Sequence, residues 1–133
     1  MKGGQIKMKR KLAVLFLLLA FLVPGIAGAV EKEDFKVDNT QDFVDLCVVP
    51  TEHPYYVAAV HFVHGYLVGA YGYYEAQTAG PKGDKFVCLP ENMPSRNEVV
   101  DMFLKWAKAH PEYMKERAVN TIFRFLAETW PCK

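Results

Sequence analysis

Between Pro54 and the Gly80-Pro81 stop, this chain holds one charged side chain, Glu75, and no further proline. The pattern predicts a single long helix from about Pro54 to Thr78, with Thr51 as its cap and Pro54 tolerated in its first turn. Such a helix is apolar on most of its circumference, which demands burial on several sides, in the centre of a bundle or in a bilayer. His61, His64 and Glu75 make a bilayer costly, so the expected place is the centre of a helical bundle. One face carries Ala58, His61, Phe62, Gly65, Gly69, Gly72 and Ala76, and the opposite side Val57, Val60, His64, Leu67 and Tyr71. Three internal glycines cost roughly 1 kcal/mol each relative to alanine. The compensation expected is close approach of another backbone along the glycine strip.

The remaining elements are shorter. Asn39 or Thr40 caps a helix whose stripe is Phe43, Leu46 and Cys47, ended by Pro50. Residues 79–94 carry three prolines and two glycines and form a long connection. Connections of that length inside a compact domain are functional or tied down. The apolar Phe86, Val87 and Leu89 around Cys88 predict that its middle folds back onto the core. Ser95 and Glu98 form a capping box ahead of Val99, Met102, Phe103, Trp106 and Ala107, a helix ending near Ala109. Pro111 forces a boundary at His110 and is placed as the first residue of the last helix. That helix turns Ala118, Ile122, Phe125, Leu126 and Thr129 inward, and Arg117, Arg124 and Glu128 outward. No repeat or strand alternation is present. The fold class is all-α: a small bundle of four helices, or five with a short one, stabilised by one disulfide.

Met1–Lys11 is basic, and Leu12–Val23 is an apolar run of 12 residues, shorter than the ~20 needed to span a bilayer. Pro24-Gly25 ends the run, and Ala27-Gly28-Ala29 has the small-x-small pattern of a signal-peptidase site. The domain reading is therefore a cleaved secretory leader (1–29), a charged mobile arm (30–38) and one helical domain (39–133). Loss of residues 1–29 removes five of the 16 basic residues and none of the 15 acidic ones, leaving a net charge of −4. An acidic surface repels phosphates and disfavours nucleic-acid binding. The expected compartment is oxidising and outside the cytosol, with no membrane span retained after cleavage.

Cys88 lies in a connection without another anchor, and Cys132 at a terminus that would otherwise fray. A bridge between them closes a loop worth ~4 kcal/mol by chain entropy. Cys47 is then the leftover free thiol, either packed inertly beside Leu46 or engaged in an intermolecular disulfide. His61 and His64 are the candidate metal ligands, with Glu52 or His53 nearby. They point about 60° apart, and no HExxH pattern is present. The residues predict no metal and no cofactor. A Cys47/His64 nucleophile pair lacks a third group. Ser95, the only serine, is explained as a cap. No catalytic site is expected. The tyrosines crowd the central helix, with Tyr73 and Tyr74 expected as the exposed pair near its end.

Taken in order, several short motifs resemble one family. They are Leu46-Cys47, the run Phe62-Val63-His64-Gly65-Tyr66-Leu67-x-Gly69, Val87-Cys88-Leu89-Pro90, His110-Pro111-Glu112 and Trp130-Pro131-Cys132. Together they look like the Rap/Tai family of periplasmic immunity proteins of type VI secretion systems. The likeness covers Thr40 to Cys132. The family commonly has a cysteine two residues before the central glycine, where this chain has Val63. That departure supports the Cys88–Cys132 pairing and makes Cys47 a relic thiol packed against Val63. The resemblance implies binding rather than catalysis, by small helical proteins that are often homodimers. Their partner is a peptidoglycan amidase effector, whose active-site cleft they block. Phe62, His64, Gly65, Tyr66, Gly69, Pro90, His110 and Pro111 read as structural. For partner contact, physical reasoning selects Asp84, Lys85, Glu91, Asn92 and Arg96 on the tied segment, together with Tyr73 and Tyr74. The competing reading is a small periplasmic acid chaperone, which would loosen and expose apolar surface at low pH.

Overall fold

The computed structural model describes residues 30–133, and the predicted leader lies outside them. Four α-helices follow in order: α1 (Thr40–Cys47), α2 (Tyr56–Thr78), α3 (Arg96–Ala109) and α4 (Ala118–Thr129). Short 3-10 turns occupy Lys32–Lys36 and Pro111–Tyr113. The all-α reading holds, with one disulfide between Cys88 and Cys132.

The short α1 is the hub, packing against the first 3-10 turn and against α2, α3 and α4. Its Phe43 and Leu46 are fully buried, with Phe43 edge-on to Phe103 of α3 at 5.6 Å and tilted against Tyr66 of α2 at 5.2 Å. Asn39 is the cap, its side chain accepting from Asp42 N–H. The helix's next free N–H groups find partners outside it: Thr40 N–H donates to Glu116 C=O (2.8 Å) and Gln41 N–H to Met114 C=O (3.0 Å). Thr40 and Thr121 are fully buried, their hydroxyls 2.7 Å apart, with Thr40 Oγ1 also 3.0 Å from Glu116 C=O.

This arrangement corrects the expected start of the last helix. Pro111 opens only a single 3-10 turn, and α4 begins at Ala118. The carbonyls of Met114 and Glu116 are committed to α1 and are not free to start a helix of their own. The inward face of α4 is otherwise as expected, with Ala118, Ile122, Phe125 and Leu126 buried. The capping box of α3 forms as predicted, and its buried positions are Val100, Phe103 and Ala107.

Residues 30–38 differ from the mobile arm read in the sequence. Val30 and Val37 are buried, and Phe35 stands edge-on to Tyr55 (6.0 Å) and Phe62 (5.4 Å). Val37 adopts a left-handed φ of 51°, uncommon for a β-branched residue. Burial of its side chain is the offsetting gain. Three apolar residues among charges lacked helical periodicity, and that concealed their packing.

Two expectations about the central helix are also corrected. Thr51 does not cap it. Its hydroxyl turns to Glu52 instead (2.8 Å), and α2 starts after the turn at Tyr55. The glycine strip has no backbone against it: a Cβ built on Gly65, Gly69 or Gly72 meets nothing within 4 Å. The inward positions are Ala59, Val63 and Tyr74, roughly opposite the glycines. Among the described residues, no helix is long and apolar enough to cross a membrane.

Candidate functional site

The connection 79–94 is irregular because its sequence allows little else, yet it is held at several points. Gly83 turns back beneath the end of α2, its N–H bonding Gly80 C=O at 2.9 Å. A Cβ at Gly83 would run into the Thr78 carbonyl, so only glycine fits there. Tyr74 provides the second hold. Its phenol oxygen accepts from the N–H groups of Phe86 (2.8 Å) and Val87 (2.9 Å). Its ring packs on Phe86 and Phe123. Tyr74 is only 7% exposed, which corrects its selection as a contact residue. A phenol with an apolar body and a hydrogen-bonding tip suits this strap as well as it suits an interface. Tyr73 is 68% exposed, as expected.

The third hold is the C-terminus. Val87 bridges Pro131 in an antiparallel pair, Cys88 N–H donates to Trp130 C=O (2.9 Å), and Cys132 N–H donates to Phe86 C=O (3.3 Å). The disulfide joins the same two segments, with the α-carbons of Cys88 and Cys132 4.9 Å apart. Val87 is thereby sunk into the core at 1% exposure.

So held, the connection turns Asp84, Lys85, Glu91 and Asn92 outward, and Arg96 continues the exposed surface at the start of α3. A feature absent from the sequence reading lies beside them. The backbones of α2 and α3 stay apart, and an apolar groove of about 270 Å³ opens between them. Its walls are His64, Leu67, Tyr71 and Glu75 of α2, Leu89 and Met93 of the connection, and Arg96 and Val99 of α3. Burial raises the Tyr71 phenol above its ordinary pKa, and the nearby Glu75 carboxylate adds to the shift. The signal available in the sequence was Leu89 and Met93, apolar residues within an otherwise polar loop.

A second cleft, of about 320 Å³, lies toward the start of α2, where Cys47, Val63, His64 and Asp101 share the lining. Cys47 thus stands on the same cleft as Val63. Burial pushes its thiol pKa up to about 12, which leaves almost no thiolate at neutral pH and disfavours an intermolecular disulfide. His61 is exposed on the outer side of α2, while His64 faces the groove. Among the described residues, no three His, Cys, Asp or Glu side chains converge as a metal site.

The motif residues His110 and Pro111 act in the frame. The His110 Nδ1 lies 2.8 Å from the Trp106 carbonyl at the end of α3, and its ring stacks on the Trp106 indole at 4.1 Å. Tyr113 extends the stack, and Arg124 covers Tyr113 at 4.8 Å while pairing with Glu116 at 3.3 Å. Phe62 and Tyr66 are half-buried and pack against the core. Gly65, Gly69 and Pro90 are exposed.

No curated protein and no solved structure matches the chain. The family model of Rap1a immunity proteins matches residues 39–132, which span all four helices, the tied connection and the disulfide. The chain belongs to the Rap1a immunity protein family.

Proposed function

We propose that this immunity protein works outside the cytosol, in the periplasm, by binding a peptidoglycan amidase effector of a type VI secretion system and closing its active-site cleft. The family itself carries the coarser statement that an immunity protein binds a toxin effector. The finer reading is supported by the leader-like first 29 residues, by a disulfide suited to an oxidising compartment, and above all by the tied connection 79–94. That segment is ordered before it meets a partner, which lowers the entropy cost of binding. Its outward residues are of mixed charge, suited to a protein surface. The chain contributes contact and no reaction of its own, and its self-association into a homodimer is part of this reading.

The test is a panel of small Cys/His cell-wall amidases mixed with the purified protein. One of them is expected to form a stoichiometric complex and lose hydrolytic activity. The double reversal Asp84→Lys/Lys85→Glu is expected to weaken that complex tenfold or more while leaving the melting temperature unchanged. A panel showing neither binding nor inhibition would overturn the proposal.

A further inference from the structure

The groove between α2 and α3 is apolar along its length and oppositely charged at its two ends. Its middle is lined by Leu67 from α2, Leu89 from the connection, Val99 from α3, and Leu126 and Trp130 from the end of α4. On its rims Val68 stands 52% and Met93 41% exposed. His64 and Glu75 mark its extent on α2, a span of about 16 Å at the helical rise. His64 also lines the second cleft, together with Asn97 and Asp101 of α3, which puts the start of α3, and with it Arg96, at the His64 end. Glu75 closes the other end. Among the described residues the ion pair formed is Arg124–Glu116, so the Arg96 guanidinium and the Glu75 carboxylate stand without a counter-charge. Glu98, the acid nearest Arg96 in sequence, is already held by the Ser95 N–H at 2.7 Å.

We infer that this groove docks an extended segment of a protein partner carrying an acidic, an apolar and a basic side chain at alternate positions. The acid pairs with Arg96, the basic group pairs with Glu75, and the apolar side chain seats among Leu67, Leu89 and Val99. An extended chain sets every second side chain in one row at ~3.3 Å per residue, so about five residues run the length of the groove. A helix needs about eleven for the same span and, ~10–12 Å across with its side chains, rests on the rims of so narrow a trough. The volume of about 270 Å³ lies below the ~300–1,000 Å³ of sites for whole small molecules. It suits the anchor side chain of a protein contact, held in a desolvated pocket. The ion pairs at the exposed ends add little affinity. They select the sequence accepted and the direction in which it runs.

Attribution of the segment to the effector rests on the proposed function, which it deepens by naming the chemistry that the partner must present. The groove adjoins the connection 79–94, whose Leu89 and Met93 line it, so a partner seated on the polar residues of that connection reaches it. The groove is tested with a peptide and without any effector. Its failure leaves binding and inhibition of an amidase untouched, and an amidase panel without a binder leaves the groove standing.

The probe is the synthetic peptide acetyl-Asp-Ser-Phe-Ser-Lys-amide, titrated into the purified protein and followed by two-dimensional NMR. It is expected to bind with a Kd of about 1 mM or tighter and to shift the amides of Leu67, Tyr71, Leu89 and Val99 while leaving those of α1 in place. Serine in place of its phenylalanine is expected to abolish binding. Gly72→Leu fills the groove from α2 and is expected to weaken binding about tenfold. A side chain at Gly72 meets open space and leucine favours the helix, so this variant stays folded, which far-UV circular dichroism checks. Arg96→Glu and Glu75→Lys are each expected to weaken binding about threefold. Each places its new charge where the helix dipole favours it, at the start of α3 and near the end of α2. Combined, they exchange the two ends and are expected to restore binding, with the peptide reversed. Absence of shifts at about 10 mM peptide overturns the inference, as do shifts confined to other surfaces. So does binding that ignores either Gly72→Leu or the single charge changes, or that the combined charge exchange fails to restore.

Discussion

Two irregular, proline-bearing segments follow helices in this molecule, and they are secured in opposite ways. The connection 79–94 is fixed by sulfur, by one phenol and by a single antiparallel bridge. The segment 110–117 is fixed by its own carbonyls, which accept from the start of α1, and by the buried Thr40–Thr121 pair. A covalent tie needs few polar groups of the segment it holds, so the first segment keeps its charged side chains free. In the second segment the ties are made by backbone carbonyls, and of its charged side chains Glu116 pairs with Arg124, while Glu112, Lys115 and Arg117 stay exposed. Under the proposed function the first segment is the one offered to a partner, whereas the hydrogen bonds of the second serve stability.

The largest test of that contrast is the double change Cys88→Ser/Cys132→Ser. Loss of the closed loop is expected to cost ~4 kcal/mol of unfolding free energy by chain entropy, read by urea denaturation. Hydrogen exchange is expected to speed up first at the amides of Cys88 and Cys132 and to leave those of Thr40 and Gln41 protected. Equal acceleration at both places would mean that the two ties are one cooperative unit.

Next comes Tyr74→Phe. It keeps the ring but removes the acceptor of two backbone N–H groups, one of them on the deeply buried Val87. An unsatisfied buried donor costs about 1–3 kcal/mol, and the same denaturation series measures it. In the other segment, Thr121→Val is expected to cost about 1 kcal/mol, because Thr40 Oγ1 keeps its bond to Glu116 C=O. Adding Thr40→Val also removes the Thr40 Oγ1 bond to Glu116 C=O, but that carbonyl still accepts from Thr40 N–H, so no buried partner is orphaned and the further cost is expected to be small. A strongly additive double variant would show that the pair is not the unit that holds this segment.

Much of this frame was legible in the sequence, for identifiable reasons. Capping chemistry is local, so the first cap could be narrowed to Asn39 or Thr40, of which Asn39 is the one, and the Ser95–Glu98 box could be read directly. The amphipathic period placed the inward face of α4. What escaped depended on distant partners. The 114–116 carbonyls belong to α1, more than seventy residues earlier, and no local pattern announces that. Tyr74 and Tyr73 are neighbours of one type, but only the buried phenol meets the returning chain. The glycines of α2 signalled close approach, but the monomer holds no backbone there. At the candidate site, the polar loop residues were legible from composition. The groove beside them arises from the separation of two helix axes, a property of the assembled fold.

The smallest predicted effect concerns the far end of the connection 79–94. There Ser95 and Glu98 close the box that starts α3: Ser95 N–H donates to Glu98 Oε2 (2.7 Å), and Glu98 N–H donates to Ser95 Oγ (3.3 Å). The Ser95 side-chain contact and then the Ser95 backbone N–H hold the Glu98 carboxyl below its ordinary pKa. A carboxyl with a lowered native pKa contributes stability that is complete above its unfolded pKa of about 4.3 and fades as the pH falls through its native titration. Glu98→Gln is therefore expected to melt slightly below the wild type at neutral pH. The gap narrows through the acid range and vanishes once the wild-type carboxyl is protonated. The deficit of Thr121→Val involves hydroxyls alone and is expected to stay constant over the same series. Parallel melting curves against pH for the three proteins check both statements. A Glu98→Gln deficit that persisted unchanged in acid would mean that its cause is lost packing or geometry and not charge.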